Sequence, residues 1–119
     1  MRKIFLHIIL LALFSCNFSN QKVYKNLYIS NGGEFNDYPV AAIRLKGGDQ
    51  INIFPFEVEN YKVDNKYIIF KCIDFYRENK FYLLDKDFDE YNFEGKITGP
   101  LNEKEFSSFK KKEKLNFDF

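Results

Sequence analysis

Four kinds of hydrophobic spacing run along this chain, and each predicts a different element. The first is an apolar stretch, Ile4 to Phe14, interrupted only by His7. The second is alternation. Val23 to Ser30 alternates as a strand, and Asn31-Gly32-Gly33 follows it as a turn signal. Pro39 to Leu45 predicts another strand, with its proline at the start, where no ladder hydrogen bond is lost. Gly47-Gly48-Asp49 turns the chain into Gln50 to Phe54, whose Ile51 and Ile53 share one face, and Pro55 closes that run. Glu57 to Val63 predicts a further strand in which Val58 and Tyr61 are out of phase, the mark of a bulge.

The third spacing is apolar on both faces. After the turn pair Asp64-Asn65, Lys66 to Phe75 reads Tyr67, Ile68, Ile69, Phe70, Lys71, Cys72, Ile73. A strand of this kind is covered on both sides and therefore central. Tyr76 to Asn79 turns the chain, and Lys80 to Asp85 returns with Phe81 and Leu83 on one face, Tyr82 and Leu84 on the other. The pair predicts an antiparallel hairpin at the centre of a sheet. Asp85 to Glu94 is acidic and reads as a loop, and Gly95 to Pro100 leads out of it.

The fourth spacing is helical. Asn102 and Glu105 have the spacing of a capping box, and Leu101 and Phe106 that of a hydrophobic staple. Phe106 and Phe109 share the face that would rest on a sheet, while Lys110, Lys111, Lys112 and Lys114 fill the last turn, where positive charge suits the helix dipole. The expected fold is α+β: one small antiparallel β-sheet of five or six strands with one C-terminal helix packed on it.

The opening stretch has a different fate from the rest. Arg2 and Lys3 precede the apolar run, which ends at Leu13-Phe14-Ser15-Cys16. A short basic start, short grease and a small residue at a cut site have the order of a secretory signal, which the mature protein loses. Spanning a bilayer as a helix takes roughly 20 apolar residues, about twice what is present. Leu13 occupies a place where an ordinary secretory cut wants a small residue. Leu-x-Ser-Cys resembles instead the lipobox of bacterial lipoproteins. That resemblance implies removal of residues 1–15, diacylation of the Cys16 thiol (palmitate among the chains), and Cys16 as the new N-terminus. The other reading is a plain secretory leader with an incidental cysteine. Residues 16–22 are then an acylated tether and residues 23–119 a single α+β domain. In lipoproteins of two-membrane bacteria an Asp directly after the cysteine holds the protein at the inner membrane. Asn17 stands there in this chain, so the resemblance points to the outer membrane.

Composition narrows the chemistry. Removing the leader leaves roughly 100 residues, enough for one domain. Of the 18 basic residues Arg2 and Lys3 leave with the leader, and all 17 acidic ones stay, a mature balance of −1. That balance gives no electrostatic footprint for nucleic acid. His7 is the only histidine and departs with the leader, so no Ser–His or Cys–His pair can form. Cys72 is the one thiol besides Cys16, which removes any intrachain disulfide and leaves the core to hold the fold. The abundance of Phe, Tyr, Ile, Leu and Val supplies that core.

A second resemblance covers about half of the mature chain. Tyr61-x-Val63-Asp64-Asn65-Lys66-Tyr67-Ile68-Ile69, then Phe81-Tyr82-Leu83-Leu84-Asp85, then Gly99-Pro100-Leu101-Asn102-x-x-Glu105-Phe106 is similar in order to a family of small bacterial lipoproteins defined only as a domain of unknown function. It implies an anchored envelope protein and lends no chemistry.

Other motifs weigh less. Asp85-x-Asp87-x-Asp89 opens like a calcium loop, but Glu90 and Lys96 stand where a helix–loop–helix site needs Gly and a bidentate Glu. An irregular calcium site with Asn92 or Glu94 competes there with a solvated acidic loop. Cys72, in the most apolar strand, reads as a structural thiol, because activation needs a neighbouring base or positive field. Asn31-Gly32-Gly33 and Lys46-Gly47-Gly48-Asp49 lack phosphate-loop spacing and read as turns. Lys110 to Lys112 reads as a solvated helix end, with contact to anionic headgroups as its alternative. Tyr24, Tyr28, Tyr38, Tyr76 and Tyr91 read as sheet packing, with a glycan- or protein-binding platform as the alternative. Cys16, for lipid attachment, is the one site residue assigned. No catalytic residue, metal or cofactor is expected. The expected role is a non-enzymatic, lipid-anchored envelope module of a binding or accessory kind, with an envelope protein as the candidate partner and no nucleic acid. An immunity or inhibitor lipoprotein facing a toxin or lytic enzyme is the second reading, and a small hydrolase the third.

Overall fold

The computed structural model describes residues 20–30, 38–116 and 118–119 of the chain. Among the described residues eight strands make two antiparallel four-stranded sheets, each in simple up-and-down order. The first sheet holds β1 (Asn20–Tyr24), β2 (Leu27–Ser30), β3 (Val40–Arg44) and β4 (Gln50–Asn52). The second holds β5 (Glu57–Val63), β6 (Tyr67–Ile73), β7 (Asn79–Asp85) and β8 (Ile97–Leu101), followed by helix α1 (Glu103–Glu113). The α+β class holds. The single five- or six-stranded sheet does not, and the reason lies at Phe54–Phe56. Pro55 has no N–H to continue a ladder. Phe54 turns inward there, 2% exposed, and stacks on Tyr82 of β7 at 4.0 Å between ring centroids. The chain crosses from one sheet to the other on this residue. The Val58 N–H then donates to the Pro39 carbonyl at 2.8 Å, tying the start of β5 to the start of β3.

Three layers follow from the two-faced pattern of β6 and β7. Ile68, Phe70, Cys72, Tyr82 and Leu84 face the first sheet, where Leu27, Ile29, Ala41 and Ile43 meet them. The alternate residues Tyr67, Ile69, Phe81 and Leu83 face the helix and bury Phe106, with Phe109 and Leu115 alongside. The second sheet is thus the middle layer and its central hairpin is buried on both faces, as its sequence predicts. Helix α1 begins as expected: the Asn102 side chain accepts from the Glu105 N–H, and the Glu105 carboxylate accepts from the Asn102 N–H. Lys114 ends it in the left-handed region at φ 55°.

Three further differences from the sequence reading matter. Val23 to Ser30 is two strands, because the chain reverses at Lys25-Asn26 with Lys25 at φ 53°. The Lys25 ammonium rewards that turn by donating to the carbonyls of Lys86 at 2.8 Å and Phe88 at 3.1 Å. Asn20 to Lys22 belongs to β1, so strand structure takes up the last part of the expected tether. Gly95 to Pro100 is not a lead-in: a 3-10 turn spans Phe93–Lys96 and β8 starts at Ile97.

Irregularities fall on border strands. The pairing shifts between Lys22 and Tyr24 on β1, between Val58 and Asn60 on β5, and opposite Phe81 and Leu83 on β8. In each case the extra residue sits on the outer strand of the pair. At β8 the kink requires Gly99, at φ 126°, because a Cβ there would lie 2.6 Å from the Phe81 carbonyl oxygen.

Candidate functional site

The sequence-predicted residues separate cleanly once the layers are known. Cys16 and the expected leader, residues 1–15, lie outside the described residues, as does Asn31-Gly32-Gly33. Cys72 is fully buried between the sheets, and burial pushes its thiol up to about 12. A thiol so disposed is neither nucleophile nor ligand at neutral pH. Asp87 pairs with Lys96 at 3.2 Å. Asp89 accepts from the N–H groups of Tyr91 and Asn92, and the Asn92 side chain accepts from the Asp89 N–H. The acidic segment therefore spends Asp87 on an ion pair and Asp89 on its own backbone. Among the described residues no three carboxylate, thiol or imidazole groups converge as a metal cage requires. The same segment buries Phe88 and Phe93 in the inter-sheet core, so it is a packed cap with a charged exterior. Lys46 and Gly47 turn between β3 and β4, as expected.

Two surfaces at opposite ends of the sandwich carry features beyond packing. At one end a cleft of about 490 Å³ is lined by Asn26, Tyr28, Arg44, Lys46, Glu90 and Tyr91, among others. The Arg44 guanidinium lies 4.5 Å from the Tyr28 ring centroid and remains exposed. The Lys46 N–H donates to the Glu90 carboxylate at 2.9 Å, clamping the acidic cap to the β3–β4 turn. Tyr91 stands 83% exposed at the rim. A hydrogen bond to Glu90, with the charge of that carboxylate, raises the Tyr91 hydroxyl above its ordinary 10.0. The cleft thus offers a stacked cation and an exposed aromatic ring beside the Glu90 carboxylate, groups suited to meeting a polar ligand or a side chain.

The β6–β7 turn forms the other surface. Phe75 is 71% and Tyr76 86% exposed at its tip. The tip is held rigidly from below. Asp74, 8% exposed, accepts from the Tyr76 N–H at 2.9 Å and the Glu78 N–H at 2.8 Å. Its own N–H donates to the Glu78 carbonyl at 2.9 Å, and Arg77 takes the left-handed conformation at φ 67° that closes the turn. Phe75 meets the half-buried Phe56 edge to face at 5.2 Å. Sequence reasoning places Tyr76 in the turn but assigns Phe75 to the strand, which misses the pair; two adjacent aromatics beside a turn are the signal that marks it.

The other tyrosines divide in the same way. Tyr24 packs against the inter-sheet core. Tyr38 donates to the Pro55 carbonyl at 3.3 Å beside the aromatic tip. Lys110 lies over the Phe106 ring and within 3.6 Å of Asp118. No family model, no curated protein and no solved structure matches the chain.

Proposed function

We propose that this protein is a lipid-anchored bacterial envelope module, held in the outer membrane through Cys16 and acting by binding a protein partner without catalysis. The observation that carries the reading is the run of Arg2-Lys3, short apolar segment and Leu13-Phe14-Ser15-Cys16. The fold supports it in one respect: β1 starts at Asn20, four residues after Cys16, so a compact domain follows the acylation point almost at once. Acyl chains supply the affinity, each buried methylene contributing about 0.8 kcal/mol, and several chains hold where one does not. The cleft around Arg44 and Tyr91 is the recognition surface, since it lies at the end of the sandwich away from Asn20.

Intact-mass measurement on natively expressed protein tests the anchor. The expected species begins at an acylated Cys16, and Cys16→Ser leaves the leader uncut or the protein released into the soluble fraction. A wild-type mass without acyl chains, or a Cys16→Ser variant that is processed and membrane-bound as before, overturns the reading.

A further inference from the structure

Asn20, where the described chain begins, and the aromatic turn share one end of the sandwich. Asn20 pairs with Ser30, and Ser30 with Val40, so the chain enters the first sheet two strand spacings from the start of β3. Two spacings are about 10 Å. The Pro39 carbonyl there accepts from Val58, and Tyr38 lines a small cavity together with Phe75 and Arg77. Glu57 pairs with Ile73 one residue before Asp74, which places the β6–β7 turn beyond that same border. The acidic cap, the cleft and the lysines of the last turn of α1 lie at the far end: Lys66, at the start of β6, meets Glu113 at 3.8 Å. Only four Cα–Cα steps separate Cys16 from Asn20, a reach of at most about 15 Å.

From this juxtaposition we infer that Phe75 and Tyr76 form a second, non-covalent membrane contact, docking the turn into the headgroup region of the bilayer that holds Cys16. The inference rests on the lipid-anchor reading. With so short a connection, the Asn20 end of the domain is the end that meets the bilayer. A tyrosine ring, with its one polar edge, partitions to that layer, and an apolar phenylalanine ring beside it is buried at the acyl boundary. The pair suits it because the rings are already exposed and the turn backbone is fixed by the Asp74 carboxylate, so docking has no backbone to order. Arg77, also exposed, stands beside them to meet lipid phosphate. The docked turn fixes the domain's tilt and turns the Arg44–Tyr91 cleft away from the membrane.

The chain contains no tryptophan, so Tyr76→Trp and, at the far end, Tyr91→Trp each create a lone reporter at an exposed position. Full-length acylated protein carrying either change is reconstituted into phosphatidylethanolamine–phosphatidylglycerol vesicles, with and without lipids brominated near the headgroup. The Tyr76→Trp protein is expected to show blue-shifted emission that brominated lipid quenches, whereas the Tyr91→Trp protein stays solvent-like and unquenched. Solvent-like emission from Tyr76→Trp in protein that floats with the vesicles overturns the docking and leaves the anchor standing. A blue shift without quenching marks burial against protein and also overturns it. Acylated protein that fails to float with vesicles sinks the anchor and the docking together.

Discussion

The two sheets have the same number of strands and the same up-and-down order, yet they do different work. The second is the middle of three layers, and in β6 Tyr67, Ile68, Ile69, Phe70 and Cys72 are all buried. The first is an outer layer in which β2 alternates buried and half-buried positions and β4 is exposed throughout. The difference is one of coverage. A strand between two layers has no solvent face on which to place polar residues, so its whole sequence is committed to packing. In the first sheet β2 commits every second residue and β4 almost none, and only the interior strand β3 buries a successive run, Val40 to Ile43.

Mutations sharpen that contrast. Phe70→Ala removes a fully buried ring between the sheets and should cost about 3–5 kcal/mol, read as a shift of the urea midpoint with unchanged slope. High pH should act on the same layer. Burial raises the Cys72 thiol from 9.0 to about 12 and the Tyr82 hydroxyl from 10.0 to about 12. Both groups keep their protons in the folded state at pH values where the unfolded chain releases them. Their contribution is therefore fully present below pH 9.0 and is lost as pH rises toward 12. In its steep part the Cys72 titration adds a slope of about 1.4 kcal/mol per pH unit. Urea unfolding between pH 8 and 11 checks this, and Cys72→Ala should flatten the onset near pH 9. Asn102→Ala deletes the side-chain half of the capping box and should cost about 1 kcal/mol, visible as a lower midpoint with normal circular dichroism. Ile51→Ala in β4, at a 41% exposed position, should change the unfolding free energy by less than about 0.5 kcal/mol. An Ile51→Ala loss as large as that of Phe70→Ala would mean that the outer layer is not the weaker of the two.

Periodicity made the middle layer legible. Tyr67 to Phe70 and Phe81 to Leu84 are apolar on successive positions, which announces cover on both sides. The helix was equally plain from Asn102, Glu105 and Phe106, and the Val58–Tyr61 phase slip foretold a real bulge. Partition into two sheets was not legible, because alternation states which face of a strand is buried and not which strand lies beside it. Lys25-Asn26 lacks the glycine that usually betrays a two-residue turn; its stabilisation comes from the carbonyls of Lys86 and Phe88, sixty residues away in the chain. Gly99-Pro100 hid β8, since both residues are ordinarily strand breakers and are tolerated there only on a border. Phe88 and Phe93 were hidden by the carboxylates around them. As for the candidate site, Tyr28, Arg44 and Tyr91 come together only through the fold, and no spacing along the chain announces them.

The kinks on β1, β5 and β8 bear on behaviour in a crowd. An unpaired strand with a straight backbone is a template on which a neighbouring copy can add its own edge, and molecules confined to a surface collide edge-on far more often than in bulk solution. Each extra residue breaks the even spacing of free amides that such zipping needs. The remaining border, β4, is only three residues long. Many copies packed side by side would accordingly stay separate molecules and would not fuse into ribbons.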